Sequence, residues 1–241
     1  MPNSADASKT VYVISGANRG LGYGVTEQLV KRSNSVVYAG ARDPSKADKL
    51  QQLAKQHSNV HVVQLRADSE ADHKEVAARL ETEAGRVDVV WANAGMCVLD
   101  AWKPVKDVSI TALREHIEVN AIHPLLMYQA FYALLGRSSN PKLMVSSSSA
   151  GSTQLLEMLK AAPQLVYGLS KAAVNNLTRR IHFEDDKITA VPFHPGTACT
   201  HTATHRTARR AARPNRLRLA NWQLPTLCSR RLLTSCCVAC V

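Results

Sequence analysis

The sequence predicts an α/β fold in which helices cover both faces of a doubly wound parallel sheet. Two observations support this prediction. Six short runs rich in β-branched residues alternate with longer stretches that have the helical spacing of apolar positions. The short runs are also continuously apolar rather than alternating, as strands are when both faces of a sheet are buried. A chain of 241 residues is long enough to form one such domain.

The predicted strands and helices alternate along the chain up to residue 193. The strands are TVYVIS (10–15), SVVYAGA (35–41), VHVVQL (60–65), VDVVWAN (87–93), KLMVSSS (142–148) and KITAVPF (187–193). The helices are 22–33, 45–57, 70–84, 109–136 and 164–184. Asp43 followed by Pro44 is typical of a helix N-terminus, and Ser69 before Glu70 indicates a second cap. Successive βα units of this kind form a Rossmann-type sheet, which binds ligands beyond the carboxyl ends of its strands.

The net charge of +11 is concentrated at the end of the chain. Residues 201–241 contain eight arginines and no acidic residue, so removing these eight charges leaves +3 for residues 1–200. Nucleic-acid binding by the main body is therefore not expected. The first residues, MPNSADASK, form no apolar stretch, and no window approaches the ~18 apolar residues of a membrane-spanning helix. We therefore expect a cytoplasmic protein that does not enter a membrane.

A glycine-rich segment, SGANRGLG at 15–22, directly follows the first predicted strand. Glycines at this place let the backbone approach a diphosphate, and the N-terminus of the next helix supplies N–H donors. A tight strand-to-helix turn would also need glycines, but the position between strand and helix favours a phosphate-binding loop. The residues predicted to bind a cofactor here are Gly16, Asn18, Arg19, Gly20, Leu21 and Gly22.

The charge at the end of the second strand indicates which dinucleotide would bind. A site for NAD usually has a carboxylate there, whereas this strand ends in YAGAR with no acid before Arg42. Arg42 and Arg19 together fit a 2′-phosphate. Asp43 is the counter-argument, but its expected capping role accounts for it. We therefore predict NADP(H) as the cofactor, and the alternative for Arg42 is a solvated surface charge.

Tyr167 and Lys171 lie four residues apart in VYGLSKAAV, at the start of a predicted helix. This spacing puts both side chains on one helix face. A phenol has a pKa near ~10, and a neighbouring ammonium group favours the phenolate. The pair is therefore expected to exchange a proton with a carbonyl or alcohol oxygen near neutral pH. The same spacing is common on surface helices, so its weight comes from the other motifs.

These motifs follow one another in a fixed order along the chain: SGANRGLG, then Asn93-Ala94-Gly95, Asn120 in EVNAIHP, a run of serines, YGLSK, and Pro195-Gly196. In this order they resemble the short-chain dehydrogenase/reductase family over about residues 10–196. Within the family, YGLSKAAVNNLTRRIHFE is similar to the fungal ketoreductases of the norsolorinic acid type, which act on aromatic polyketides. Residues 1–196 are therefore expected to form a dinucleotide-binding catalytic domain.

The resemblance implies a role for each matching residue. Tyr167 would donate the proton, Lys171 would hold the nicotinamide ribose and lower the pKa of Tyr167, and Asn120 would hold a water that links Lys171 to solvent. Asp68 would contact adenine. The remaining cofactor contacts implied are those of Asn93, Ala94, Gly95, Pro195, Gly196 and Thr200.

The alternatives are that Asn93 and Asn120 satisfy buried backbone groups and that Asp68 caps the next helix. A homodimer or tetramer is expected from the family alone.

Four consecutive serines, Ser146 to Ser149, precede Ala150-Gly151. The family pattern places the substrate-polarising serine three residues before this glycine, which indicates Ser148. Alternate residues of a strand face the same side, so Ser146 is the rival. The expected role is a hydrogen bond to the substrate carbonyl oxygen as that oxygen gains negative charge.

Between Ser148 and Tyr167 lie 18 residues, several more than the family usually has. The apolar residues of this insert are Leu155, Leu156, Met158 and Leu159, and those after the fourth strand are Met96, Val98, Leu99 and Trp102. Together they could wall a broad apolar pocket for a bulky hydrophobic carbonyl substrate. The alternative is an amphipathic turn packed on the body.

Residues 197–241 depart from the family pattern. They contain no Gly, Asp, Glu or Lys, although all 11 glycines and all 19 acidic residues occur earlier. A family member would continue through a substrate-covering helix and a seventh strand, so the last strand is expected to be missing. We interpret the segment as a disordered Arg/Thr/Cys-rich tail or a frameshifted or misspliced reading, and a genuine basic extension is the alternative. The pairs His201 with His205 and Cys237 with Cys240 lack the partners of a zinc site, so no metal is predicted.

The sequence thus predicts an NADPH-dependent ketoreductase that reduces a ketone of a bulky hydrophobic substrate, such as an aromatic polyketide, to an alcohol. One alternative is a protein that binds the dinucleotide without turnover because the lid and the last strand are missing. Another is an arginine-tailed nucleic-acid-binding or scaffold protein that uses the same fold.

Overall fold

Six strands lie side by side in the part of the chain that the structure, a computed structural model, describes, namely residues 8–160 and 162–196. The strands are β1 (Thr10–Ile14), β2 (Ser35–Ala41), β3 (Val60–Gln64), β4 (Val89–Ala92), β5 (Lys142–Ser146) and β6 (Thr189–Phe193). All neighbouring strands are parallel, and their order is β3-β2-β1-β4-β5-β6. This is the order of a Rossmann sheet, which confirms the predicted fold class.

Six α-helices accompany these strands in the described residues. They are α1 (Gly20–Leu29), α2 (Asp48–Gln56), α3 (Glu70–Glu83), α4 (Ile110–Ile117), α5 (His123–Leu135) and α6 (Leu165–Glu184). Within the described part of the chain, no helix has both the length and the apolar character needed to cross a membrane. Each of the five predicted helical stretches contains a helix, with differences at the ends and at one interruption.

Two helix starts differ from the prediction. Helix α1 begins at Gly20, inside the glycine-rich segment, rather than at residue 22. Asp43 accepts a hydrogen bond from Ser45 N, as expected of a cap, but the helix that it starts is only a 3₁₀ turn over Pro44–Lys46. Helix α2 then begins at Asp48. The sequence therefore predicted the cap correctly, but it did not predict that a 3₁₀ turn separates this cap from α2.

The predicted helix that contains Asn120 is interrupted by a π turn over Glu118–Ile122. His123 N donates to Glu118 O, five residues back. The wider turn is explained by Pro124, which has no N–H and so cannot donate to the carbonyl of Asn120 four residues earlier. Asn120 therefore stands in a local widening of the helix, where it is buried and bonded to the loop after β4.

Two apolar cores cover the two faces of the sheet. Val13 and Ile14 are neighbours in β1, point to opposite faces and are both fully buried. The core around Val13 includes side chains of α3, α5 and α6, which are Val76, Leu80, Met127, Phe131, Leu134, Leu135, Val174 and Ile181. The core around Ile14 includes side chains of α1 and α2, which are Leu29, Leu50 and Leu53. The continuous apolar runs of β1, β2 and β4 are thus explained, because side chains on both faces of these strands are buried.

The strand order reverses between β1 and β4, which are neighbours in the sheet. The chain proceeds from β1 to β2 on one side and from β4 to β5 on the other, so the loops after β1 and β4 diverge and leave a crevice. Ligands of such sheets bind at this point. The two strand ends are joined directly, because Ser15 N donates to Trp91 O at 3.1 Å.

The predictions for residues 197–241 lie outside the described residues. They include the missing last strand, the disordered or misread tail, the cofactor contact of Thr200 and the two His and Cys pairs.

Replacement of Leu80 tests the packing of α3 on the sheet. Leu80 is fully buried, so Leu80→Ala is expected to lower the free energy of unfolding by about 3 kcal/mol through lost apolar burial and the cavity left behind. Urea unfolding measures this change. The control is Leu156→Ala, at a position that is 57% exposed, which is expected to change the free energy by less than about 0.5 kcal/mol. Similar losses in both variants would contradict the described core.

Candidate active site

The glycine-rich loop between β1 and α1 has a shape that side chains would obstruct. Gly16 and Gly20 adopt φ values of +64° and +59°, a region that favours glycine. A Cβ on Gly22 would lie 2.4 Å from Gly16 O and 2.5 Å from the side-chain nitrogen of Asn93. Glycine is therefore required where this loop enters α1 and touches the loop after β4.

The N-terminus of α1 is open to an anion. Arg19 occupies the N-cap position without a capping side-chain hydrogen bond, and the first turn contains no acidic residue. The N–H groups of Gly20, Leu21 and Gly22 therefore remain available, together with the positive end of the helix dipole. Asn18 is half-buried in the loop that leads to this turn. The residues present thus fit the diphosphate of a dinucleotide.

The segment after β4 is fixed to the glycine-rich loop by hydrogen bonds. Asn93 Nδ2 donates to Ser15 O at 3.0 Å and to Gly16 O at 3.3 Å. The backbone N–H groups of Asn93 and Ala94 both donate to the Ser15 hydroxyl, at 3.0 and 2.9 Å. Asn93 therefore satisfies backbone carbonyls, as its alternative role required, and by the same bonds it supports the strand ends beside the predicted cofactor site.

Asn120 holds the next part of this loop. Its Oδ1 accepts from Met96 N at 2.8 Å, and its Nδ2 donates to Met96 O and to Ser170 Oγ, both at 2.9 Å. A Cβ on Gly95 would lie 3.1 Å from Asn120 Oδ1 and 3.5 Å from Lys171 Nζ. The amide thus satisfies backbone groups, which was the alternative, and its role in holding a water stays a prediction.

Three predicted catalytic residues meet beside the carboxyl end of β5. The Tyr167 hydroxyl group lies close enough to that of Ser148 for the two groups to interact. Lys171 is 4% exposed, and its Nζ donates to Ser146 O at 2.8 Å. The same Nζ lies 5.6 Å from the centre of the Tyr167 ring. A hydroxyl pair and a buried cation are therefore brought together, as the motifs predicted.

Two further glycines allow this arrangement. A Cβ on Gly151 would lie 2.6 Å from the carbonyl carbon of Lys171, and a Cβ on Gly168 would lie 2.7 Å from Ala150 O. Helix α6 consequently packs backbone to backbone on the 3₁₀ turn Ser149–Gly151, and this brings the two hydroxyl groups together. Sequence reasoning did not assign this packing role, and the available signal was the small residues at these positions.

The expected lowering of the Tyr167 pKa is wrong for the chain alone. Burial raises the pKa of Tyr167 above its ordinary value of 10.0, and the interaction with the Ser148 hydroxyl offsets only part of this rise. The Lys171 ammonium does not reverse it, because that group is directed at Ser146 O and burial lowers its own pKa to about 8. Tyr167 is therefore protonated at neutral pH, which is the form that can donate a proton.

The geometry separates the two candidate serines. Ser146 Oγ accepts from Trp91 Nε1 at 3.0 Å and lies 3.4 Å from Asn93 Oδ1. These contacts tie Ser146 to β4, whereas the Ser148 hydroxyl lies near that of Tyr167 and lowers its pKa. The arrangement therefore favours Ser148 as the residue that contacts a substrate oxygen.

Two exposed arginines flank the site at the end of β2 and in the glycine-rich loop. Among residues 8–160 and 162–196, neither Arg19 nor Arg42 has an ion pair or a side-chain hydrogen bond. The nearby Asp43 carboxylate is engaged, because it pairs with Lys46 at 3.0 Å and accepts from Ser45 N at 3.1 Å. The acid is thus used in capping, and both guanidinium groups remain available to a ligand.

The remaining predicted cofactor contacts lie beyond strand ends at the same edge. Asp68 is exposed after β3 and does not cap α3, because Ser69 Oγ accepts from Asp72 N at 3.2 Å in that role. The capping alternative for Asp68 is therefore wrong, and its adenine contact stays a prediction. Pro195 and Gly196 are exposed after β6, and their cofactor contacts also stay predictions.

The two apolar segments proposed as pocket walls differ in burial. In the insert, Leu156 and Met158 are 57% and 81% exposed, whereas Leu155 and Leu159 are half-buried. After β4, Val98 and Leu99 are exposed, and Met96 and Trp102 are half-buried. The alternative of an amphipathic turn packed on the body fits only the half-buried leucines. Exposed apolar side chains therefore remain on both segments.

Two buried histidines beneath the site were not singled out from the sequence. His123, at the start of α5, bonds to Ser15 Oγ through Nε2 at 2.9 Å and to His73 through Nδ1 at 3.0 Å. His73 Nδ1 bonds in turn to Ser69 O at 2.6 Å. Burial lowers the pKa of both histidines, that of His123 to about 3. Only the fold brings them together, so the sequence contains no spacing signal for this pair.

Comparison with known proteins agrees with this geometry. A family model described as short chain dehydrogenase matches residues 10–211. The chain belongs to the short-chain dehydrogenase family. It is therefore an oxidoreductase of a family that binds nicotinamide dinucleotides. The predicted resemblance is thereby confirmed.

Individual members of the family show the same likeness. An uncharacterised oxidoreductase from Schizosaccharomyces pombe is 35% identical, over 80% of this chain and 75% of that protein. A norsolorinic acid ketoreductase from Emericella nidulans is 34% identical, over 78% of this chain and 72% of that protein. The crystal structure of an NADPH-bound carbonyl reductase from chicken fatty liver is 32% identical and superposes with a TM-score of 0.71, over 78% and 79% of the two chains.

Burial of His123 predicts a loss of stability in acid. Its pKa of about 3 in the folded chain lies below the ~6.5 of an unfolded histidine. Between these values the unfolded chain binds more protons, so the free energy of unfolding falls as the pH falls. From pH 7 to pH 5 this contribution is about 2 kcal/mol. Urea unfolding at pH 7 and pH 5 measures how much the free energy of unfolding falls between these values. This fall is expected to be about 2 kcal/mol smaller in His123→Phe than in the wild type. Equal losses would contradict the described burial.

Proposed function

We propose that this oxidoreductase is an NADPH-dependent ketoreductase that reduces a ketone of a bulky hydrophobic substrate to an alcohol. The observation that supports it most directly is the proximity of the Tyr167 and Ser148 hydroxyl groups, with the buried Lys171 one helical turn further along α6 and 5.6 Å from the Tyr167 ring centre. This pair lies at the edge of the sheet where the glycine-rich loop and the open N-terminus of α1 fit a dinucleotide. A proton donor and a coenzyme site at one edge are the two parts that a carbonyl reduction requires.

The proposed chemistry divides between the coenzyme and the chain. A reduced nicotinamide supplies the hydride. Ser148 donates a hydrogen bond to the carbonyl oxygen and stabilises the charge that develops there. Tyr167, which is protonated at neutral pH, donates its proton to the same oxygen. Lys171 holds the ribose, and its positive charge stabilises the phenolate that proton donation leaves.

The charges at the end of β2 support a preference for NADPH over NADH. Arg19 and Arg42 are exposed guanidinium groups, and Asp43 is engaged in capping. Guanidinium groups bind phosphate oxygens in bidentate geometry, whereas a bare ribose offers them no charge. The similarity to a carbonyl reductase crystallised with NADPH supports the same choice.

The exposed apolar residues on the insert and on the loop after β4 support the proposed substrate class. Leu156, Met158 and Leu99 are all more than half exposed. Walls of this kind favour a large apolar molecule over a small polar sugar. The similarity to a norsolorinic acid ketoreductase supports an aromatic polyketide as one such molecule. A cytoplasmic homodimer or tetramer is the form in which we expect the enzyme to act.

The replacement Tyr167→Phe tests the proposed reaction. It removes only the hydroxyl group, so NADPH consumption with a bulky aromatic ketone is expected to fall at least ~100-fold through loss of the proton donor. The NADPH dissociation constant is expected to stay within about twofold, because the ring remains. Absorbance of NADPH measures the first quantity and fluorescence titration the second.

The control for this test is Tyr132→Phe, the same chemical change at a tyrosine of α5 that is 49% exposed. Its activity is expected to match that of the wild type. Undiminished activity of Tyr167→Phe would refute the scheme. A wild-type protein that binds NADPH but consumes none with any aromatic ketone offered would favour the other candidate, a dinucleotide-binding protein without turnover.

The double replacement Arg19→Ala/Arg42→Ala tests the coenzyme preference. Loss of charge-assisted hydrogen bonds to the 2′-phosphate is expected to raise the NADPH dissociation constant at least about tenfold. The NADH dissociation constant is expected to stay within about twofold, because NADH lacks that phosphate. The control Arg180→Ala removes an exposed arginine from the distal part of α6 and should change neither constant. Equal weakening of both coenzymes would show that the arginines do not read the 2′-phosphate.

A further inference from the structure

A buried line of hydrogen bonds joins the crevice edge of the sheet to the start of α3. It runs from Ser15 Oγ to His123 Nε2 at 2.9 Å, from His123 Nδ1 to His73 Nε2 at 3.0 Å, and from His73 Nδ1 to Ser69 O at 2.6 Å. Ser15, His73 and His123 are all 0% exposed. Strand β1 and helices α5 and α3 are thus connected through the interior by polar contacts.

The partners at the two ends fix the direction of every hydrogen bond in this line. Ser15 Oγ already accepts from Asn93 N and Ala94 N, which occupies both lone pairs, so its O–H must donate to His123 Nε2. At the other end a backbone carbonyl can only accept, so His73 Nδ1 carries a hydrogen. In neutral rings His73 Nε2 is then the acceptor and His123 Nδ1 the donor. A single pair of tautomers satisfies all the contacts.

We infer that His123 and His73 are positioning residues for coenzyme binding, because they fix the rotation of the Ser15 hydroxyl that holds the loop after β4. The inference rests on the proposed function, in which a dinucleotide binds at this edge. The Ser15 O–H points to His123 Nε2, and this rotation keeps both oxygen lone pairs towards Asn93 N and Ala94 N. Without that acceptor the hydroxyl is expected to turn to another partner and release an N–H group. Asn93 N also donates to Trp91 O at 3.0 Å, so Ala94 N is the group that depends on the Ser15 hydroxyl alone.

The loop held in this way forms one wall of the crevice. Ala94 Cα lies 3.0 Å from the position that a Cβ on Gly16 would take, so the loop after β4 is in direct contact with the glycine-rich loop. Release of Ala94 N would loosen this contact at the place where the diphosphate fits. His73 acts indirectly, through His123. Its Nε2 accepts from the buried Nδ1–H of His123, which would otherwise be unsatisfied.

The experiment measures the dissociation constants of NADPH and NADH by fluorescence titration of the full chain. His123→Phe keeps a ring but removes both nitrogens, and it is expected to weaken NADPH binding about tenfold, which is the size of one hydrogen bond. His123→Gln keeps one acceptor and one donor and is expected to regain most of the affinity. A His73→Phe/His123→Phe double variant is expected to bind no more weakly than His123→Phe, because both rings act in one line.

Phe131→Leu is the matched control, since it removes buried volume from the same helix without touching the line. Its NADPH dissociation constant is expected to equal that of the wild type within about twofold. Wild-type affinity in His123→Phe, or an equal loss in Phe131→Leu, would overturn the inference and leave the histidines a role in stability alone. Failure of the wild type to bind either coenzyme would refute the proposed function itself, and that result is recognised before any variant is compared.

A second measurement covers the case in which His123→Phe does not fold. Long-range ¹H–¹⁵N NMR spectra of wild-type protein with ¹⁵N-labelled histidines show which nitrogen of each ring carries a hydrogen. Hydrogens on Nδ1 of both rings, and none on either Nε2, are expected. A hydrogen on His123 Nε2 would overturn the inference, because the Ser15 hydroxyl could then not donate to that ring.

Discussion

The fold and the site both depend on the contact between the ends of β1 and β4. Ser15 is fully buried there, yet its hydroxyl, its N–H and its carbonyl all have partners on or beside β4. A buried polar group without a partner costs about 1–3 kcal/mol, so the groups of Ser15 and of the facing loop stabilise one another. Because the strand order reverses at this point, the bonds that complete the sheet edge also shape the crevice. The stability of the sheet edge and the shape of the crevice therefore depend on one set of contacts.

Several motif residues of the site form hydrogen bonds with the protein backbone or allow backbone segments to pack closely. The amides of Asn93 and Asn120 are used on carbonyl and N–H groups of neighbouring loops, and Gly151 lets α6 pack on a turn. Each of these positions tolerates few alternatives, because another side chain would leave a polar group unpaired or create a clash. A pattern of such residues therefore reflects the architecture of the crevice, which is why the sequence could predict the family.

What the sequence predicted, and what it did not, has a physical basis. All six strands were predicted close to their observed bounds. In β2 and β4 this is because strands buried on both faces are continuously apolar. The π turn at Asn120 was missed, because Pro124 in a helical stretch indicates a boundary rather than a widened turn. The direction of the Tyr167 pKa was also missed, since the four-residue spacing to Lys171 carries no information on how deeply both are buried. The bond between His73 and His123 spans 50 residues and exists only in the fold.

The Tyr167 pKa is raised in the chain alone, whereas catalysis favours a lower pKa. Lys171 is the residue through which we expect the coenzyme to change this pKa. The Lys171 ammonium group donates one hydrogen bond to Ser146 O, so two of its three N–H donors remain for other acceptors. Gly95 keeps the approach to these donors open, because a Cβ there would stand 3.5 Å from Nζ. We expect ribose hydroxyl groups in the crevice to accept from them, and acceptors of this kind favour the charged ammonium and raise its pKa from about 8. We expect the stronger positive charge beside the phenol to lower the Tyr167 pKa, and we therefore propose that the lowering expected from the motif arises in the complex with the coenzyme.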